Sequence, residues 1–153
     1  MEIFNFQIRG ANRIDMSTLD EQLYIDAVIV KGVGRTLSVS ITVDSDNGNV
    51  PLDLTDYSIV FDVLGSAEGD GQVLIHKVIT TDTDEDTVGK INDAPETGEF
   101  TFTISAEDTN LLGLGNHPIC IKIVDADTMD VVYVLTEGGV AQGEFSKIQI
   151  VRV

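Results

Sequence analysis

The residues whose types could do chemistry are few. Histidine occurs twice, as His76 and His117, and cysteine once, as Cys120. His76 alternates with Leu74 and Val78, as on a strand, where a histidine is most simply a satisfied or half-exposed group. His117 stands before Pro118 at a strand start, which reads as a turn position. Cys120 lies in the middle of an apolar run, as a small buried hydrophobe would, and cannot form a disulfide within the chain. No serine sits in a nucleophile-elbow context such as G-x-S-x-G, and no Cys–His spacing suggests a thiol nucleophile. Gly113-Leu114-Gly115 lacks the lysine and the strand–helix setting of a phosphate loop. The inventory points away from an enzyme and names no catalytic or cofactor-binding residue.

Calcium is the sharper alternative. Asp82, Asp84 and Asp86 place carboxylates at positions 1, 3 and 5 of a loop, with Asp93 at position 12. Hard oxygen ligands at alternate positions suit Ca²⁺. Against this, Thr87 stands where an EF-hand needs glycine, and no flanking helices are expected. Asp44-Ser45-Asp46-Asn47-Gly48 is one residue too short for the same pattern. The plainer reading is a set of solvated acidic loops that keep a sheet surface soluble and discourage edge pairing. Paired carboxylates are too common in this chain to signal glycoside hydrolysis.

Charge narrows the partners. Nine Lys+Arg against 26 Asp+Glu give a formal charge of −17 over 153 residues. Such a surface repels phosphate backbones and anionic lipid, so neither nucleic acid nor a membrane is an expected partner. Copies of the chain also repel one another, and apolar contacts, salt or divalent cations must offset that if it assembles. Met1–Asn5 lacks a basic n-region, no apolar run reaches transmembrane length, and the single thiol fits synthesis in a cytosol. A hydrophobic content of 42% argues against general disorder.

The elements that must position these residues read almost wholly as strands. Leu37, Val39, Ile41 and Val43 alternate with Thr36, Ser38, Ser40 and Thr42. Pro51 leads a turn into Tyr57, Ile59, Phe61 and Val63, again at every second position. Phe100, Phe102 and Ile104, then Ile119, Ile121 and Ile123, repeat the pattern. Further strands are expected over residues 72–80 (Val73, Ile75 and Ile79 on one face), 131–135 and 145–153, with a short one near 88–91. A helical turn is expected around 108–115 and another near 18–22, where Ser17 and Asp20 have capping-box spacing. Gly10–Asp15 breaks the chain, and Glu137-Gly138-Gly139 suggests a bulge. Nine or ten strands with turn signals at short intervals specify an all-β sandwich or barrel.

Four blocks occur in order: Leu37–Asp44 before an acidic turn and Leu52–Phe61; Gly98–Asn110 before a Leu-Gly turn; His117–Asp127; and Val131–Gly138. Together they resemble the immunoglobulin-like antiparallel β-sandwich of phage virion proteins, above all the N-terminal domain of siphophage upper baseplate proteins and related tail-fibre modules. The resemblance covers about residues 35–153. Asp56 stands where that family often has glycine, His117 near its usual turn tyrosine, and Met129-Asp130 in place of its Asp-Gly hairpin. The resemblance implies a non-enzymatic structural component of the virion, in the tail or baseplate, that assembles with copies of itself and with neighbouring virion proteins. A capsid decoration or head-fibre protein is the alternative within that class. A carbohydrate-binding or adhesin module is the alternative outside it, although the chain has no tryptophan.

Residues 1–34 lie outside the resemblance and read as an N-terminal arm. Phe4, Phe6 and Ile8 share one side of a first strand. Leu23–Lys31 is apolar on both faces, so Tyr24, Ile25, Val28 and Ile29 suit either an inner strand of this domain or a segment that pairs with a neighbouring subunit.

Overall fold

The computed structural model describes residues 3–8, 26–45, 48–65, 72–136 and 147–152. The expected turn near 18–22, the break at 10–15, Tyr24, Ile25 and the bulge at 137–139 lie outside them. Within them the chain forms eleven strands and one short α-helix. The strands are β1 (Ile3–Ile8), β2 (Asp26–Val30), β3 (Arg35–Ser45), β4 (Gly48–Pro51), β5 (Tyr57–Leu64) and β6 (Val73–Ile79). They continue with β7 (Gly89–Ile91), β8 (Glu99–Ile104), β9 (Gly115–Asp125), β10 (Val131–Thr136) and β11 (Lys147–Val151). The helix α1 is Ala106–Leu111.

Two sheets result. One has the order β1-β3-β8-β7, with β4 also on β3. The other has the order β2-β11-β9-β5-β6, with β10 also on β9. They face each other as a sandwich, so the all-β expectation holds. The facing residues are the alternating ones: Leu37, Val39, Ile41, Phe100, Phe102 and Ile104 from the first sheet, Ile59, Phe61, Val63, Ile119, Ile121 and Ile123 from the second, all buried. Phe61 and Phe102 meet across the gap with ring centroids 4.8 Å apart at 41°. Burying each of these large side chains contributes about 1.5–3 kcal/mol, and the tilted ring pair adds about 0.5–1.5 kcal/mol.

Each sheet hangs on one long strand. β3 and β9 both have 11 residues, and each gives one edge to two successive partners. β3 pairs β8 over Arg35–Ser40 and β4 over Thr42–Ser45. β9 pairs β11 over Gly115–Pro118 and β10 over Ile121–Val124. On β3 the hand-over falls at Ile41, whose N–H donates to Gly98 O at 2.9 Å and whose carbonyl accepts from Leu52 N at 3.0 Å. Gly98 has φ +71°, and a Cβ there would stand 2.5 Å from Ile41 O. Only glycine fits so close a backbone approach in a left-handed conformation.

The corner from β4 to β5 is built by Leu52-Asp53-Leu54-Thr55. Leu52 and Leu54 are buried plugs. Between them the exposed Asp53 carboxylate accepts from Thr55 N at 3.0 Å and from the Thr55 hydroxyl. An aspartate capping its own turn two residues on is a standard corner device. Those bonds hold the Asp53 carboxyl below the usual aspartate value.

Several expectations are corrected. Two pairings depart from a wholly antiparallel plan: β1 runs parallel to β3, and β2 parallel to β11. Neither pair is close in sequence, so no hairpin forces them antiparallel. β2 belongs to the second sheet, with Ala27 and Ile29 in the core and Val28 outward at 48% exposure. The turn led by Pro51 is preceded by a strand, β4, because residues 48–51 fold back on β3. Val73 is exposed and not inward: the β5–β6 register shifts between Val63 and Leu64, and such a slip turns a residue to the other face.

Both local devices can be tested by substitution. Gly98→Ala should destabilise by more than about 1 kcal/mol, read as a lower denaturant midpoint with an unchanged slope. Asp53→Ala should lower the melting temperature at neutral pH. A carboxyl whose folded pKa is depressed contributes stability that is fully present above the unfolded value of about 3.9 and is lost as pH falls from there through the lower folded value. The gap between variant and wild type should therefore close on acidification below about pH 4, and a gap that stays constant would refute the corner's electrostatic role.

Candidate functional site

The densest polar constellation centres on a residue absent from the expected sites, Lys77. It lies on β6, the last strand of its sheet, opposite Phe61 and between the buried Ile75 and Ile79. That is a core-facing position. Its side chain is 10% exposed and reaches the other sheet. There Nζ donates to Thr87 O at 2.5 Å, to Thr103 O at 2.7 Å and to the Asp108 carboxylate. An ammonium has three donors, and three acceptors receive them.

Asp108 is held for this by α1. Ser105 is the N-cap: its hydroxyl accepts from Asp108 N at 3.1 Å, and the Asp108 carboxylate accepts from Ser105 N at 2.8 Å. This reciprocal pair is a capping box. Two threonines widen the knot. The Thr103 hydroxyl donates to Glu85 O at 2.5 Å and meets the Thr36 hydroxyl at 2.8 Å. Thr109 Oγ1 accepts from Gly32 N at 2.8 Å and donates to Ala106 O at 2.6 Å. One cluster thus ties β3, β6, β8, α1, the 31–34 turn and the 81–88 loop. Its chemistry is binding of the chain to itself: all three acceptors around Nζ are oxygens of this chain.

The expected residues fall elsewhere. His76 is largely exposed, and its Nδ1 meets Asp62 Oδ1 at 2.5 Å across β5–β6. His117 is not at a turn; it is buried inside β9, because β11 pairs alongside it. Its Nδ1 meets Leu64 O at 3.0 Å and its Nε2 meets Gly113 O at 2.6 Å. Two carbonyls on one ring lock its orientation. Cys120 is half-buried and not fully enclosed, because it alternates outward between Ile119 and Ile121.

Asp82, Asp84, Asp86 and Asp93 are all exposed. The Asp84 carboxylate accepts from Asp86 N at 3.0 Å and from the Thr87 hydroxyl at 3.1 Å. Asp93 meets Lys90 Nζ at 2.6 Å. That bond holds the Lys90 ammonium above its usual value, with Glu85 and Asp82 adding to it. Among the described residues no three His, Cys, Asp or Glu side chains converge as metal ligands. Beside Lys90 lies an open depression of about 270 Å³, lined by Ser38, Glu85, Asn92, Asp93, Glu99 and Thr101 among others. It is polar and faces outward from the first sheet.

Among the described residues every buried side-chain nitrogen and oxygen has a hydrogen-bond partner. Burial pushes the Tyr133 phenol up to about 12, as a core tyrosine requires. No described helix is long and apolar enough to cross a membrane.

No family model and no curated protein matches the chain. Among solved structures it is similar to the N-terminal domain of phage TP901-1 ORF48, at 8% sequence identity and a TM-score of 0.39, over 99% of this chain and 98% of that one. At that score the likeness is one of coarse shape.

Removing Lys77 should test the knot. Lys77→Met keeps the buried stem but leaves Asp108 and two carbonyls without their donor, at a cost of up to about 3 kcal/mol. A double-mutant cycle with Asp108→Ala should return a coupling energy of about 1–3 kcal/mol in chemical denaturation. Additivity of the two single variants would show that the pair is incidental.

Proposed function

We propose that the chain is a non-enzymatic structural module of a bacteriophage virion, in its tail or baseplate. The observation that carries the reading is how the resembling blocks fold. Leu37–Asp44 is β3, Leu52–Phe61 is the self-capped corner and β5, Gly98–Asn110 is the hand-over glycine with β8 and α1, and His117 onward is β9. The blocks that carry the family resemblance are therefore the corner, the crossing and the central strands of one sandwich. They specify a stiff shape, and the polar cluster around Lys77 joins its two sheets.

The work of such a module is geometric. It presents edges and ends to copies of itself and to neighbouring virion proteins. Phe4, Phe6, Ile8 and Val28 belong to the segments that this reading assigns to docking. β1 and β2 are the outermost strands of their sheets in the described order, and an outer strand can add a further one.

Particles carrying the encoding genome decide the matter. Mass spectrometry of purified virions should find the chain at a fixed copy number, and immunogold labelling should place it on the tail. Absence from purified particles would overturn the reading; label on the head would move it to capsid decoration.

A further inference from the structure

Lys77 sets a primary amine nitrogen against a carboxyl group within the sandwich. Its side chain is 10% exposed and that of Asp108 17%. Ile75 and Ile79 flank Lys77 on β6, and Phe61 stands opposite it on β5; all three are buried. The surroundings are therefore poor in water. The Lys90–Asp93 pair is the contrast. Those side chains are 31% and 83% exposed, so solvent reaches both.

Each partner is also fixed from outside the pair. Thr87 O at 2.5 Å and Thr103 O at 2.7 Å each take one proton of Nζ. The capping box holds the Asp108 carboxylate, whose Oδ2 accepts from Ser105 N at 2.8 Å and from Lys77 Nζ. Cγ lies one bond beyond that oxygen. Two ammonium protons are thus committed to carbonyls, and the third is directed at the carboxylate. Once the third crosses to Oδ2, the lone pair it leaves behind faces the carboxyl group. Reactants held in this way reach effective molarities of about 10⁵–10⁸ M.

We propose that Lys77 and Asp108 condense to an amide, a covalent link from β6 to α1. Nζ bonds to Cγ, and the Cγ–Oδ2 bond breaks. Oδ2 takes two of the three ammonium protons and leaves as water; the remaining proton stays on the amide nitrogen. An −NH₃⁺ and a −COO⁻ thereby become −NH−CO− and H₂O, with no oxidant, reductant or activating group consumed. Ser105 N–H stabilises charge on Oδ2 as that oxygen departs. The reaction runs once per chain and has no turnover. The ion pair is its reactant state and keeps the coupling expected of it above; the amide is the product. The product closes a loop between residues 31 apart in sequence. It fastens the last strand of one sheet to the helix that follows β8 of the other. A closed loop restricts the unfolded chain and so stabilises the fold, as a disulfide does. The link is a property of the folded chain alone and is independent of any place in a virion.

The purified full chain, denatured and weighed intact by mass spectrometry, provides the test. Wild type should be lighter than its sequence mass by one water, and it should run ahead of Lys77→Arg on a denaturing gel. Trypsin does not cut after an acylated lysine, so residues 36–90 should emerge joined to 91–122. Fragment ions should place the branch at Lys77 and Asp108. Lys77→Arg keeps the cation but offers no amine, and Asp108→Ala offers no carboxyl; both should keep the full mass. The branch mapped in wild type makes the result independent of how well the variants fold. Wild type that keeps its full mass even after prolonged incubation at neutral pH would overturn the link. So would a loss of water that persists in Lys77→Arg, or a branch between any other pair of residues.

Discussion

A largely buried charge on an outermost strand constrains everything around it. Lys77 occupies a core-facing position of β6, between two isoleucines, where an unpaired ammonium would be expensive. Its three donors can be satisfied together only if the 81–88 loop, β8 and α1 stand where they do. Thus a residue on one sheet dictates the position of three segments on the other side of the sandwich. Hydrophobic burial alone does not do this, because apolar contacts are non-directional and tolerate sliding. The same inward charge makes β6 a poor template for a further strand, since pairing there would extend a sheet beside a lysine that must stay with its partners.

The rest of the fold solves a related problem, how two sheets of unequal order share one chain. The answer is the pair of long strands. β3 and β9 each change partner part-way along one edge, so each sheet has more strands than partners abreast. A change of partner leaves a gap in the ladder that must be closed by backbone from elsewhere. On β3 the closing groups are Gly98 O and Leu52 N, which is why a glycine and a buried leucine corner meet at Ile41. The corner and the crossing are therefore one structural event. Far apart in sequence, they adjoin through three hydrogen-bonded backbones, those of Ile41, Leu52 and Gly98.

Much of this is legible in the residues. Strict alternation of branched and aromatic side chains marks β3, β5, β8 and β9, because a half-buried strand has a period of two. What is not legible is non-local. Lys77 reads as an interruption of the Ile75–Ile79 alternation, since nothing in the sequence connects position 77 to position 108. A local signal does exist: Ser105 and Asp108 have capping-box spacing, and an aspartate fixed in that box is a ready acceptor for a cation. β4 is hidden because Gly48-Asn49-Val50-Pro51 has turn composition and becomes a strand only by lying on β3. His117 looks like a turn residue because the proline after it suggests a strand start, whereas β9 continues through both.

The distribution of polarity completes the physical picture. Outward positions on β3 and β8 are hydroxyl-rich, with Thr36, Ser38, Ser40, Thr42 and Thr101, and short side chains of this kind pack a flat face without inviting apolar contact. The acidic loops flank the same sheet. Among the described residues most of the well-exposed large apolar side chains lie near chain reversals, which cannot be covered by another strand, and Val28 on β2 is the exception. The strands give the body an axis, the direction in which the hydrogen-bonded ladders resist deformation together. On the proposed reading, the shape suits transmission of force or position from one neighbour to the next, and it requires no bond-making centre for its use.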